Sequence, residues 1–357
     1  MGHGRDRSGF ALLNEILGLA SCLLFLTLLV LTGCSPKKRP ESTPTAEADE
    51  RQEATEARAN VETLVLEETT GSILVGGPAM PQPRWFTKRP KRVVILLGSF
   101  LELWYDCGGQ AIARTKNVGQ MPEGAGDLPV LGTISHINAE LLVELQPDLV
   151  IAPEIGSLRK YRTIMESNGF PVLTLRYRHY ADFVEIYSLF CLMNGREDLL
   201  AGRLGRIEND VAAIVERCPK DVSPTIVVVL CTPNSVSCEL RGSSAGAMLE
   251  RLGAKNLATD RVGNTQMRTE LSFERIIADD PDVVFFTTMG DTDKGREIAK
   301  KTLMTNPAWK SLSASRNGRV HFLDKKLFTY KPNCRYPAAF RILAGLLYPG
   351  VFLEGGD

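Results

Sequence analysis

With 42 basic and 42 acidic residues interspersed along 357, the chain has zero formal net charge and lacks the basic stripe of a nucleic-acid-binding protein. Its length suffices for two domains, and an apolar share of 44% supports full hydrophobic cores. Eight cysteines occur without the CxxC or Cys/His spacings of structural zinc sites.

Arg5 and Arg7 precede an apolar run from Ile16 to Leu31, which closes on Thr32-Gly33-Cys34-Ser35. A basic start, a short apolar segment and a small-residue ending predict a secretory signal peptide over residues 1–33. The Leu-Thr-Gly-Cys order resembles a bacterial lipobox, in which the cysteine, here Cys34, is lipidated and becomes the first mature residue. Residues 34–60 are polar and charged, too poor in large apolar side chains to bury a core, and predict a disordered tether. Such a tether has a root-mean-square reach of roughly 25–30 Å. The expected location is a lipid anchor in the cell membrane, with the folded part facing the periplasm or the cell exterior. Cys22 falls inside the signal. Of the six later cysteines, Cys231 and Cys238 flank one loop and form the expected pair if any disulfide exists.

The first lobe, 61–195, opens with short strands over 61–67 and 71–76 around a Thr-Thr-Gly turn. A continuous apolar strand follows at 91–97, and Gly98-Ser99 opens a helix over 100–107 with Ser99 as its N-cap. A strand at 111–114 and a Gly/Pro-rich loop at 119–127 lead to Asn138, which caps the helix bearing Glu140. Pro147-Asp148 turns that helix into a strand at 149–152. A helix at 157–167, a strand at 171–175 and a helix at 181–193 complete the lobe, and Asn194-Gly195 ends it.

Residues 196–217 read as one uninterrupted connecting helix. Leu200, Leu204, Ile207, Val211 and Ile214 recur at helical spacing, and Cys218-Pro219 stops the pattern. The second lobe, 218–357, has a buried strand at 225–231, a polar loop at 232–237 and a helix at 245–252. Ser272 caps a helix bearing Glu274; Pro281-Asp282 then opens a strand at 282–287, and a last helix covers about 336–347. The phrase from Glu140 to Pro147-Asp148 recurs from Glu274 to Pro281-Asp282 at equal spacing. The fold class is therefore α/β: two similar lobes with mainly parallel sheets, joined by a single long helix. Ligands of such sheets gather at the carboxyl ends of the strands, here Gly98–Ser99, Ile134–His136, Pro153–Gly156 and Tyr177–Tyr180.

The order of phrases resembles that of substrate-binding lipoproteins of ABC importers for iron–siderophore, haem and vitamin B12. The pieces are Pro90-Lys-Arg-Val-Val, Asn138-x-Glu140 with Pro147-Asp148-Leu-Val-Ile, and Met248-Leu-x-x-Leu-Gly-Ala-x-Asn256. They continue with Ser272-x-Glu274, Asp280-Pro281-Asp282-Val, Asn306-Pro-Ala-Trp309 and Asn317-Gly318-Arg-Val. The resemblance spans about residue 61 to Tyr348. It implies a class III periplasmic-binding-protein-like body with a metal chelate held between the lobes and little hinge closure. It also implies a monomer without a cofactor, working with an ABC permease dimer and its ATPase.

By the same resemblance, Glu140 and Glu274 each meet an arginine of one permease subunit. Without that role they complement helix dipoles, each worth about 0.3–1 kcal/mol. The aromatic cleft walls of the vitamin B12-binding relative align with Ile134, Pro153 and Arg268, none of them aromatic, which argues against cobalamin. Arg268, with Arg178, Arg241 and Arg335 on candidate cleft loops, suits an anionic ligand such as a ferric chelate or haem propionates. His136 and His179 fall on cleft-facing loops and could ligate a metal or haem iron. No Ser/His/Asp set, HExxH, phosphate loop or paired carboxylates in a Gly-rich cleft occurs, so no catalytic residue is expected. Competing readings are a haem or cobalamin receptor, a chelatase-like enzyme, and a haem-scavenging surface module that works without a permease.

Overall fold

The computed structural model describes residues 64–116, 120–258, 266–270 and 272–352. The signal, Cys34 and the tether lie outside them. The alternation of apolar runs with helical periodicity folds into parallel sheets. In the first lobe β4 (Val93–Ile95), β5 (Ala113–Arg114), β8 (Leu149–Pro153) and β9 (Val172–Leu175) form one parallel sheet in the order β5-β4-β8-β9. Between them, β6 (Gly132–Thr133) and β7 (His136–Ile137) make a small hairpin. Ahead of them, β1 (Val65–Glu68), β2 (Ser72–Gly77) and β3 (Met80–Thr87) form an antiparallel sheet. The third strand has no counterpart in the sequence reading because Pro81 and Pro83 break its pattern. As an edge strand pairing only with β2, it tolerates both.

The second lobe repeats the design. β10 (Thr225–Cys231), β12 (Lys255–Asn256), β14 (Val283–Thr288) and β15 (Val320–Phe322) run parallel in the order β12-β10-β14-β15. Two further strands, β11 (Val236–Glu239) and β13 (Arg268–Glu270), extend this sheet antiparallel beside β10.

The repeat is physical as well as textual. Asn138 accepts the N–H of Leu141 at 3.0 Å, and Ser272 accepts that of Arg275 at 3.3 Å. The residues before the two prolines, Gln146 and Asp280, are both left-handed, with φ of 43° and 40°. Asp148 then accepts the N–H groups of Lys91 and Arg92 at 2.8 and 2.9 Å. Asp282 does the same for Thr225, taking its N–H at 2.8 Å and its hydroxyl at 2.7 Å. Each Pro-Asp thus clips the start of the neighbouring central strand, and the caps, the Asp residues and the first clipped residues recur 134 residues on (138 and 272, 148 and 282, 91 and 225).

Three apolar clusters hold the body together. One covers the outer face of the first lobe's sheet (Val94, Val150, Leu142, Tyr161) and one that of the second (Val227, Phe286, Trp309). The largest is common to both lobes, running from Val93, Ile151 and Trp104 through the helix Tyr180–Asn194 to Val228, Phe285 and Phe340. The lobes thus share one interior, and separating them would expose apolar surface at about 25 cal/mol per Å².

Three local expectations need correction. The helix Gly98–Asp106 starts from Leu97, which makes no side-chain cap bond, so Ser99 lies inside the helix and is not its N-cap. The connecting helix is interrupted: Leu200–Leu204 form a π turn, and regular α-helix covers Gly205–Glu216. Gly202 lies at the centre of that turn and Gly205 directly follows it, and glycine offers the least resistance to a wide turn. Cys231 and Cys238 are not a pair. The β10–β11 register sets Cys231 against Val236 and Cys238 against Val229, leaving the sulfur-bearing residues diagonal, a separation too wide for a disulfide.

Candidate functional site

The carboxyl ends of β4 and β9 meet the segment Lys331–Arg335 of the second lobe, and there the polar groups converge. Asn333 is fully buried with a left-handed φ of 54°. Its amide accepts from the Tyr177 hydroxyl at 2.9 Å and donates to the Ser99 carbonyl at 3.1 Å and Glu102 at 2.8 Å. Arg335 forks onto Glu102 at 3.1 and 3.2 Å and reaches Gln120 at 2.7 Å. The Lys331 ammonium donates to the Arg178 carbonyl and lies 5.1 Å from the centre of the Tyr177 ring, which stacks on Phe100.

Around this tie runs a chain of charge. Arg268 on β13 stands opposite Glu239 on β11, so both side chains leave the same face of the sheet. Glu239 is 4% exposed; burial raises its carboxyl pKa above the ordinary value, while Arg268, Ser243, Thr287 and Lys331 act the other way. Lys331 has its pKa lowered to about 8, chiefly by burial, against the attraction of Asp182 and Glu239. Asp182 in turn accepts the backbone N–H groups of Arg178 and His179 at 2.5 and 3.0 Å. Arg268, Glu239, Lys331, Asp182 and Arg178 therefore form one cluster of charges spanning the lobes.

The candidate residues divide against this geometry. Arg178 and Arg268 belong to the cluster. Arg335 lies beside the Asn333 tie, with its guanidinium on Glu102 and Gln120. Arg241 forms an ion pair with Glu250 at 3.2 Å. His179 occupies the N-cap of the helix Tyr180–Asn194, with Nδ1 3.5 Å from Asp182. Ile134 and His136 stand on the β6–β7 hairpin, half-buried and exposed. Pro153 is buried at the end of β8, where it lines a cavity of about 360 Å³ walled wholly by the first lobe, Pro78 and Pro81 among the residues. Glu140 and Glu274 are both exposed in the first turns of matching helices. Among the described residues, no group of three or more His, Cys, Asp or Glu is placed to hold a metal ion.

Sequence reasoning missed Glu239, Lys331, Asp182 and Asn333. Lys331-Pro332 precedes the helix Tyr336–Leu347, but nothing local in the sequence signals that it crosses to the other lobe.

Two like α/β lobes on one helical backbone, with a polar seam between them, define a two-lobed extracytoplasmic solute receptor. The chain belongs to the periplasmic binding protein family, whose match covers residues 93–327. It is an ABC-transporter substrate-binding protein of the class III architecture. The Fe(3+)-citrate-binding protein YfmC of Bacillus subtilis (strain 168) is 26% identical over 321 residues, covering 88% of this chain and 91% of that one. A second Bacillus subtilis (strain 168) relative is the uncharacterized ABC transporter substrate-binding lipoprotein YvrC. It is 24% identical over 274 residues, 75% of this chain and 83% of that one. Among solved structures, S. aureus IsdE complexed with heme superposes with a TM-score of 0.64 at 15% identity, covering 72% of this chain and 98% of that one. That likeness is one of fold.

Proposed function

We propose that the protein is a non-catalytic receptor that binds an anionic iron chelate between its lobes and delivers it to an ABC permease. The observation that carries this reading is the lobe-spanning cluster of charged residues, to which Arg268 contributes an exposed guanidinium. A guanidinium suits the planar carboxylates of a ferric chelate, since it offers paired donors and keeps its charge at any physiological pH. The relative named for ferric citrate aligns over nearly the whole chain, which favours a carboxylate-rich chelate. His136 and Ile134 on the β6–β7 hairpin complete the first lobe's side of the proposed site. Lipidation at Cys34 would anchor the receptor, in keeping with the lipoprotein relative. Glu140 and Glu274 would dock it.

Titration of the purified protein with ferric citrate, ferric siderophores, haem and cobalamin tests the reading. Binding of one of the ferric chelates is expected, and Arg268→Ala should weaken it by about 2–5 kcal/mol, the usual cost of removing one partner of a charged hydrogen bond. Tight cobalamin binding untouched by Arg268→Ala would overturn the assignment. Turnover of a porphyrin or chelate would replace the receptor by an enzyme.

A further inference from the structure

Two thiols far apart in the chain meet in the first lobe. Cys107 ends the helix Gly98–Asp106, and Cys191 lies in the last turn of the helix Tyr180–Asn194. Their sulfur atoms are 3.4 Å apart, and both residues are completely buried. The two helices are pressed together at this point by Trp104 and Phe190, whose rings meet edge to face at 5.1 Å. The Cys107 thiol also points at the Tyr187 carbonyl, 3.6 Å away and one turn before Cys191. A disulfide needs the sulfurs closer by roughly 1.4 Å, a shift within reach of side-chain rotation.

We propose that Cys107 and Cys191 are joined by a disulfide when the chain folds in a compartment that supplies a disulfide oxidant. The inference rests on the extracytoplasmic placement of the protein and not on its ligand. The reaction is thiol–disulfide exchange: one cysteine attacks an oxidised dithiol or low-molecular-weight disulfide, and the second then displaces the mixed disulfide. Two electrons pass from the cysteine pair to the oxidant, whose sulfurs leave as two thiols carrying the two protons. Burial sets the timing. In the folded lobe the Cys107 thiol is held well above its ordinary pKa by desolvation and by its neighbour Cys191, so the thiolate needed for attack is scarce. The bond therefore closes during folding, before the helices seal. It ties the helix Gly98–Asp106 to the helix Tyr180–Asn194, enclosing β5 to β9 in one covalent loop, and keeps the strand ends of the proposed site in register before any ligand arrives.

The test uses the full chain in detergent, unfolded and reduced, then refolded in a buffer of reduced and oxidised glutathione. Alkylation under denaturing conditions and non-reducing peptide mapping should recover the Cys107 and Cys191 peptides as one species, two hydrogens lighter than their sum. Reduction of the refolded, bridged protein should lower its Tm by roughly 5–15 °C, as expected for a bridge closing a long loop. Cys107→Ser should leave Cys191 alkylated as a free thiol. Recovery of both Cys107 and Cys191 as free thiols in the wild type would overturn the proposal, and so would a bridge from Cys191 to Cys334 instead. Neither result bears on chelate binding, which the titration above reads separately.

Discussion

Lys331 carries more of the site's physics than any arginine singled out by composition. It sits between Glu239 and Asp182, with Arg178 opposing them, and its pKa is lowered to about 8 mainly because burial disfavours the ammonium. A lysine whose folded pKa lies below its unfolded value of 10.5 binds fewer protons in the folded state between those two pH values. Stability then rises with pH across that window; below about 8 both states are protonated and the burial penalty is present in full. Lys331→Met removes the titrating group. The stability difference between wild type and Lys331→Met should therefore shift by about 2–3 kcal/mol between about pH 7.5 and about pH 10, in favour of the wild type. Chemical denaturation of both proteins across that range reads the shift; a difference constant with pH would refute it.

At the scale of elements, the segment Lys331–Arg335 acts as a second connection between the lobes. Asn333 fills a left-handed position and makes all three of its described side-chain bonds to groups of the first lobe. Asn333→Ala strains the backbone and leaves Glu102 and the Tyr177 hydroxyl each short of a partner. A loss of about 2–4 kcal/mol is expected in urea denaturation. Asn333→Gly relieves the backbone while removing the same bonds, so it should recover only the conformational part, about 1 kcal/mol. If the two variants unfold alike and at the wild-type midpoint, the segment does not tie the lobes. The connecting helix shows a related effect. Its apolar positions were legible from period alone, but the π turn at Leu200–Leu204 was not. Arg203, on that turn, pairs with Asp106 at 2.6 Å, so a first-lobe acid meets the connector where its winding changes.

For the molecule as a whole, the repeat sets Glu140 and Glu274 two residues after matching caps, in helices that end in matching left-handed turns. Both carboxylates are exposed and neither belongs to the lobe-spanning cluster. A permease of approximate two-fold symmetry would meet both alike. Glu140→Ala and Glu274→Ala should leave the unfolding midpoint and chelate affinity nearly unchanged while lowering uptake in cells, and reversal to Arg should lower it further. Wild-type uptake in both single variants would reduce these glutamates to helix-terminal charges. The common apolar core leaves the interior beneath the lobes undivided.

By itself the sequence determined what depends on neighbours along the chain. Alternating apolar runs and helical periods specified the parallel strands, the caps Asn138 and Ser272, the last helix Tyr336–Leu347, and the repeat that revealed two lobes. Those signals are local, and a strand buried on both faces or a helix with one apolar stripe announces itself wherever it lies. Tertiary structure alone decided which polar residues meet. Lys331 and Arg178 stand 153 positions apart, and Cys107 and Cys191 stand 84 apart. The edge strands β3 and β13, and β11 between β13 and β10, were hidden for the same reason, since a strand added at the rim of a sheet is specified by its partner's open hydrogen bonds more than by its own side chains.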